Sequence, residues 1–240
     1  MSDHGFVVAV PHPVSLPVVG TGQRFPVRRI YCVGRNYVDH IREMGGDEAR
    51  DPPVFFQKPA NSIVEDGGTV PYAAMTSDLH YELELVVAIG KGGAGILAAQ
   101  ALDHVYGYGI GIDMTRRDRQ RDMGKSGLPW EIGKSFDHSC PCSPIHPVAT
   151  TGHIAFGAIR LTVGGAVKQD SDIGLMIWKV PEIIANLSSY FELFPGDIIL
   201  TGTPHGVGPV QPGDELVGSI DGLGTLTVRI GPTAELRLAA

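Results

Sequence analysis

The sequence predicts a mixed α/β, β-rich fold around one sizeable core, and three observations carry that expectation. At 240 residues the chain is long for one domain and short for two. Its 32 glycines and 18 prolines are spread along the whole length, which favours many turns and short strands over long helices. Between those turns, runs of strand-like alternation recur, and only one later stretch repeats convincingly at helical spacing.

Taken in order, "MSDHGFVVAVPHPVSLP" has neither the basic start nor the long apolar run of a signal peptide. Residues 1–24 read as an N-terminal extension and 25–240 as the domain. "RRIYCVG" is a short strand. "RNYVDHIREMGG" gives a helical turn or two, ended by Gly45-Gly46. "GGDEARDPP" is loop, and "PVFFQKP" is extended and closed by proline. "YELELVVAIG" is the best strand, "ILAAQALDHV" suits a short helix, and "YGYGIGID" is another strand. "AIRLTVGGAVKQD" places Gly164-Gly165 between two alternating runs, a hairpin signal. Pro195-Gly196-Asp197 and Pro212-Gly213-Asp214 are matching turns ahead of "IILTGTP" and "ELVGSI". The later helix is "LMIWKVPEIIANLSSYFEL", with Pro181 predicting a kink or a helix start.

Composition narrows the function classes. A net charge of −7 argues against a nucleic-acid partner. No apolar run approaches the roughly 18 to 20 residues that span a bilayer, so no membrane role and a cytoplasmic location are expected. Three cysteines, Cys32, Cys140 and Cys142, read as reduced, partly buried thiols, because Cys140-Pro-Cys142 is too tight for an ordinary bridge. "RRDRQRDMGK" is locally basic: either a solvated helix face or one positive wall of a pocket for a small carboxylate.

"HYELELVVAIGKGGAG" holds two incompatible motifs. Gly90-x-Gly92-x-x-Gly95 spells a dinucleotide-binding turn, with Asp113 about where a ribose ligand would follow. That fold needs strands and helices alternating over more than a hundred residues, and buried parallel strands seldom carry two glutamates. Glu82 and Glu84 lie two apart, hence on one strand face, about 6.5 to 7 Å from each other. An isolated pair of this kind usually marks a solvent-facing edge. Here the same face continues into Val86 and Ala88, so the carboxylates stand where a core begins and need a cation. With Asp113 at the end of "YGYGIGID", they form an all-oxygen set suited to Mg²⁺ or Mn²⁺.

"CVGRNYVDHIREMG", "DLHYELELVVAIGKGG", "GIGIDMTRRDRQ", "GLPWEIGKSFDHS" and "PGDIILTGTPHGVGPV" together resemble the fumarylacetoacetate hydrolase family, in family order from about Arg29 to Leu226. Within it, "RFPVRRIYCVGRNY" and "YGIGIDMTRRD" are most similar to its bacterial fumarylpyruvate hydrolases and acylpyruvases. The resemblance implies a distorted β-roll or barrel with short helices, a homodimer, and one Mg²⁺ or Mn²⁺ per subunit. It assigns Glu82, Glu84 and Asp113 to the metal, and His40 and Glu43 to a catalytic dyad. Lys134 becomes catalytic, and Arg35, Arg117, Gln120 and Thr203 hold a small anionic keto-acid. Gly90–Gly95 becomes a loop after the metal-bearing strand.

The expected reaction is hydrolysis of an acylpyruvate, foremost fumarylpyruvate to fumarate and pyruvate, as in gentisate-type aromatic catabolism. His40 and Glu43, three apart on a helical face, can pair so that the imidazole serves as base for water. The alternative is oxaloacetate decarboxylation, a lyase reaction through the same pyruvate enolate. His40 and Glu43 on a solvated helix face remain the plain reading of those two residues without the resemblance.

Overall fold

The computed structural model describes residues 5–37 and 52–234. Seven strands carry the half of the molecule that matters for the carboxylates: β1 (Arg29–Gly34), β2 (Val54–Lys58), β3 (Leu79–Tyr81), β4 (Leu83–Ile89), β5 (Val105–Ile112), β6 (Thr115–Arg116) and β7 (Asp197–Leu200). Three helices accompany them: α1 (Arg117–Lys125), the single turn α2 (Glu131–Lys134) and α3 (Val180–Tyr190).

The larger sheet runs β2-β1-β7-β4-β5 and continues through Cys140–Cys142 to Ile63–Glu65. Within it β7 lies parallel to β1 and antiparallel to β4, and β4 lies antiparallel to β5. The strands on either side of Gly90–Gly95 are therefore antiparallel neighbours, whereas a dinucleotide fold needs them parallel. A side chain on Gly90 would start 2.8 Å from Tyr106, and one on Gly92 would start 2.6 Å from the Leu193 carbonyl. These glycines allow close packing. The segment after them, Ala98–His104, winds as a 3₁₀ helix.

A second sheet of five strands packs across the first. Its hairpin joins Ala158–Val163 to Ala166–Asp172 through Gly164 and Gly165, both at positive φ (55° and 82°), as a two-residue turn requires. β4 is buried on both faces. Leu83, Leu85, Val87 and Ile89 enter the main core between the sheets. Val86 and Ala88, on the face that Glu82 and Glu84 begin, enter a second cluster with Cys32, Cys140, Cys142 and Leu200. The three thiols are free and fully buried, not partly so. Ser15–Pro17 pairs with Arg24–Pro26 and sends Leu16 into this second cluster, so the boundary expected at residue 24 falls inside a ladder.

The helix expected over residues 175–193 is shorter, running from Val180 to Tyr190. Pro181 sits in its first turn, where its missing N–H costs nothing. The preceding residues are held otherwise: Asn36 takes the Trp178 N–H on its Oδ1 at 2.7 Å, and the Asn36 carbonyl takes the Ile177 N–H at 2.8 Å.

Gly218, in the second sheet, sits where a Cβ would meet Leu83 Cδ1 at 2.4 Å and Ile110 Cγ2 at 3.6 Å. Gly218→Ala should therefore overpack the core and cost about 1–3 kcal/mol in a urea titration. Wild-type stability in that variant would show slack between the sheets.

Candidate metal centre

Glu82 occupies the one-residue gap between β3 and β4. The β4–β5 ladder pairs Leu83 with Ile112 and Glu84 with Gly111, and one step further the Asp113 N–H donates to the Glu82 carbonyl at 2.8 Å. This register puts all three carboxylates on one side of the ladder. Each offers an oxygen within 4.8 Å of the others, and all three are buried, at 5% (Glu82), 1% (Glu84) and 0% (Asp113) exposure. Among the described residues no other group of three or more such side chains meets that test.

Three cations surround them. Lys134, from α2, donates to Glu82 Oε2 at 2.9 Å, Asp113 Oδ2 at 2.7 Å and Thr115 Oγ1 at 2.8 Å. Burial alone would lower the Lys134 pKa, but the Asp113 and Glu82 charges outweigh it and raise the value. Arg117 binds Glu82 Oε1 and Gln120 Oε1 through its two terminal nitrogens, and its Nε lies 3.4 Å from His80 Nδ1. His80 is fixed from behind by Asp78, 2.8 Å from its Nε2. Burial, followed by the Arg117 charge, lowers the His80 pKa against the pull of Asp78.

Lys58 is the third. Its Nζ donates to Met114 O at 3.1 Å, Ser139 Oγ at 3.0 Å and the Lys134 carbonyl, which uses all three ammonium hydrogens. Asp113 Oδ1 lies 2.8 Å from the same nitrogen, a buried ion pair. Glu84 accepts from the Gly202 N–H at 2.6 Å, and among the described residues no ion pair reaches it. Burial, then the charges of Asp113 and Glu82, push its pKa well above the usual carboxylate range.

A buried carboxylate such as Glu84, which no ion pair reaches among the described residues, calls for a cation. The donor set is all oxygen, which suits Mg²⁺ or Mn²⁺ rather than Zn²⁺. The residues fit the metal.

Of the residues singled out in the sequence, Glu82, Glu84, Asp113, Lys134, Arg117 and Gln120 meet in one cluster. Thr203 joins through Gln169, whose Nε2 donates to Thr203 Oγ1 at 2.8 Å while its Oε1 accepts from the Leu83 N–H at 3.0 Å. Arg35 lies apart from these contacts: it is exposed, with its guanidinium 6.0 Å from the Trp130 ring centre. His40 and Glu43 lie outside the described residues. The basic run divides, with Arg117 buried in the cluster and Arg121 on the surface against Asp78. No helix among the described residues is long and apolar enough to cross a membrane.

Sequence reasoning missed Lys58, His80 and Gly202. Lys58 and Gly202 touch the cluster across long stretches of chain, and Lys58 carries no local pattern. Gly202 had one signal, its place between Thr201 and Thr203. Its φ is 94°, and a Cβ there would meet Asn36 Cβ at 2.7 Å and the Val33 carbonyl at 3.0 Å. Only glycine brings that N–H to Glu84.

Removing the Lys58 ammonium leaves Asp113 buried beside a hole in its cation shell. Lys58→Met should destabilise the metal-free protein by about 3 kcal/mol or more, read from a denaturant titration. A loss below 1 kcal/mol would show that Lys134 alone suffices to neutralise Asp113.

The chain matches the family described as fumarylacetoacetate (FAA) hydrolase C-terminal over residues 29–231. It is 44% identical over 186 residues to a fumarylpyruvate hydrolase of Ralstonia sp, covering 78% of this chain and 96% of that protein. It is 42% identical over 203 residues to the human mitochondrial oxaloacetate tautomerase, covering 85% of this chain and 91% of that protein. In structure it is similar to the fumarylpyruvate hydrolase from Pseudomonas aeruginosa solved in complex with Mn²⁺ and pyruvate. That comparison gives a TM-score of 0.92 at 52% identity and covers 95% of this chain and 100% of that one.

Proposed function

From the premise that this chain belongs to the fumarylacetoacetate hydrolase family, we propose that it is a metal-dependent hydrolase cleaving the carbon–carbon bond of an acylpyruvate, with fumarylpyruvate giving fumarate and pyruvate. The observation that carries this reading is the buried triangle of Glu82, Glu84 and Asp113, with the Lys134 ammonium bonded to two of its members. The fumarylpyruvate hydrolases among its relatives support the substrate class.

Glu82, Glu84 and Asp113 would hold one Mg²⁺ or Mn²⁺ per subunit. When bound, that ion supplies Lewis-acid polarisation of a keto-acid's oxygens and neutralises the three carboxylates. Lys134, dry and held cationic, stands ready to stabilise negative charge that develops on the departing pyruvate. Arg117 fixes Glu82, and Gln120 and Thr203 supply polar groups toward the substrate. His40 would take a proton from the attacking water, with Glu43 orienting its ring, and water adds to the carbonyl distal to the pyruvate carboxylate. Arg35 is assigned to the substrate by the family resemblance, while its guanidinium lies apart from the cluster beside Trp130. A homodimer in the cytoplasm, serving aromatic-ring catabolism of the gentisate type, completes the proposal.

A second reading is oxaloacetate decarboxylation: the similarity to an oxaloacetate decarboxylase of Dictyostelium discoideum favours it, whereas the human tautomerase supports the substrate alone. Decarboxylation would use the same cations, yet it has no need of an activated water.

Chelation should abolish pyruvate release from fumarylpyruvate, and Mg²⁺ or Mn²⁺ should restore it with no nicotinamide present. Asp113→Ala should lose bound metal and activity together. Full turnover by chelated enzyme would remove the metal from the reaction.

His40→Ala should reduce acylpyruvate hydrolysis about 10²- to 10⁴-fold, the usual worth of a placed general base. Oxaloacetate decarboxylation should fall less, and Lys134→Ala should damage both. A comparison at saturating substrate separates these effects from binding. Equal losses in the two reactions would deny His40 the task of activating water.

A further inference from the structure

β4 loses its strand neighbour just where the carboxylates begin. β7 ends at Leu200, and Thr201 makes the next contact, its N–H donating to the Leu85 carbonyl at 3.1 Å. Two residues earlier, on the same edge of β4, the Leu83 N–H is taken by a side chain instead: Gln169 Oε1 accepts it at 3.0 Å. Gln169 comes from the strand Ala166–Asp172 of the second sheet and is the one buried residue of that strand, at 0% exposure. A polar side chain that is buried while its apolar neighbours are not has a task at the place it reaches.

The two ends of a carboxamide are chemically opposite, and the partners of Gln169 fix which end is which. The Leu83 N–H can only donate, so it meets the oxygen. The Pro204 and His205 carbonyls can only accept, so they meet the nitrogen, at 3.0 and 3.4 Å. The same nitrogen lies 2.8 Å from Thr203 Oγ1 and has no lone pair to offer. The Thr203 hydroxyl therefore accepts there, and its own proton is left for another oxygen. Among the described residues none receives it, although Thr203 is only 2% exposed.

This hydroxyl is held close to the metal centre from two directions. The Gly202 N–H, one residue before it, donates to Glu84 Oε2 at 2.6 Å. Through Gln169 it is also joined to the amide that links Glu82 to Leu83. A buried hydroxyl whose acceptor role is already filled is a directed donor, and an anionic oxygen is the partner that suits it.

We propose that Gln169 is a positioning residue for the reaction, which sets the Thr203 hydroxyl as a donor to an oxygen of the anionic keto-acid. The inference rests on the acylpyruvate reading above, with Thr203 at the substrate, and adds what orients that hydroxyl. Without the carboxamide the hydroxyl turns freely, and its proton has no preferred direction.

The test is a double-mutant cycle on the Mn²⁺-loaded enzyme, combining Gln169→Met with Thr203→Val and reading kcat/KM for fumarylpyruvate. Each single variant should lose about 10- to 100-fold, the range of one hydrogen bond to a charged group. On the Thr203→Val background, Gln169→Met should cost less than about threefold more, because the hydroxyl it sets is gone. Equal losses on both backgrounds would overturn the assignment, since a merely structural role is felt with or without the hydroxyl. Undiminished activity in Gln169→Met would overturn it as well. Should the methionine variant not fold, Gln169→Asn goes through the same cycle, its shorter arm being unable to span Leu83 and Thr203 together. Full activity in Thr203→Val would remove Thr203 from the substrate, and this inference with it. Failure of the wild-type enzyme to release pyruvate from fumarylpyruvate would instead take down the underlying reading.

Discussion

The antiparallel register between β4 and β5 is the constraint on which the rest of the molecule depends. Glu84 faces Gly111, and the Asp113 amide closes onto the Glu82 carbonyl at the ladder's end. A slip of one residue would turn the carboxylates to the opposite face of the sheet, into Leu83 and Leu85 territory. The glycines of β5 protect the register from the other side. A Cβ on Gly111 would lie 2.7 Å from Val86, and one on Gly107 would lie 2.3 Å from the His146 carbonyl. The small residues are there because other chain must come close.

That register creates an electrostatic problem, and the surrounding elements answer it. Three buried carboxylates repel one another and lose hydration, which is why Glu84 is driven toward its neutral form. Two helices bring in Lys134 and Arg117, and β2 at the edge of the same sheet brings in Lys58; beside the acids they bind, Lys134 donates to Thr115 Oγ1, Lys58 to Ser139 Oγ and Arg117 to the Gln120 amide oxygen. Among the described residues these cations pair with Glu82 and Asp113 but leave Glu84 without an ion pair. The balance is one that a divalent ion improves, and Lys134 is left dry and cationic beside it, where the proposed chemistry needs a positive charge.

α1 begins at the point where this buried network meets solvent. Arg117 points inward and is consumed by Glu82, while the later residues of the helix turn outward to Asp78 and Asp122. Arg116 precedes the helix on β6, so neither pattern applies to it, and it rests on Phe136 and the Ile132 carbonyl. One basic stretch thus contains a buried cation and a solvated face together, because the chain changes from strand to helix between two adjacent arginines.

What local chemistry can carry was legible in the residues alone. Two-residue spacing made Glu82 and Glu84 share a face that runs on into Val86 and Ala88, and paired glycines marked the hairpin at 164–165. The matched motifs singled out Lys134, Arg117 and Thr203, whereas His40 and Glu43 lie outside the described residues. Who meets whom across long separations was set by the fold. Lys58 reaches Met114 and Ser139, Gly202 reaches Glu84, and Asn36 shortens a helix by holding residues 177–178. The physical reason is that periodicity sets the side toward which a residue points, whereas the partner it finds there depends on strand order and register. Those follow from packing the two sheets, through contacts that no short window of sequence contains.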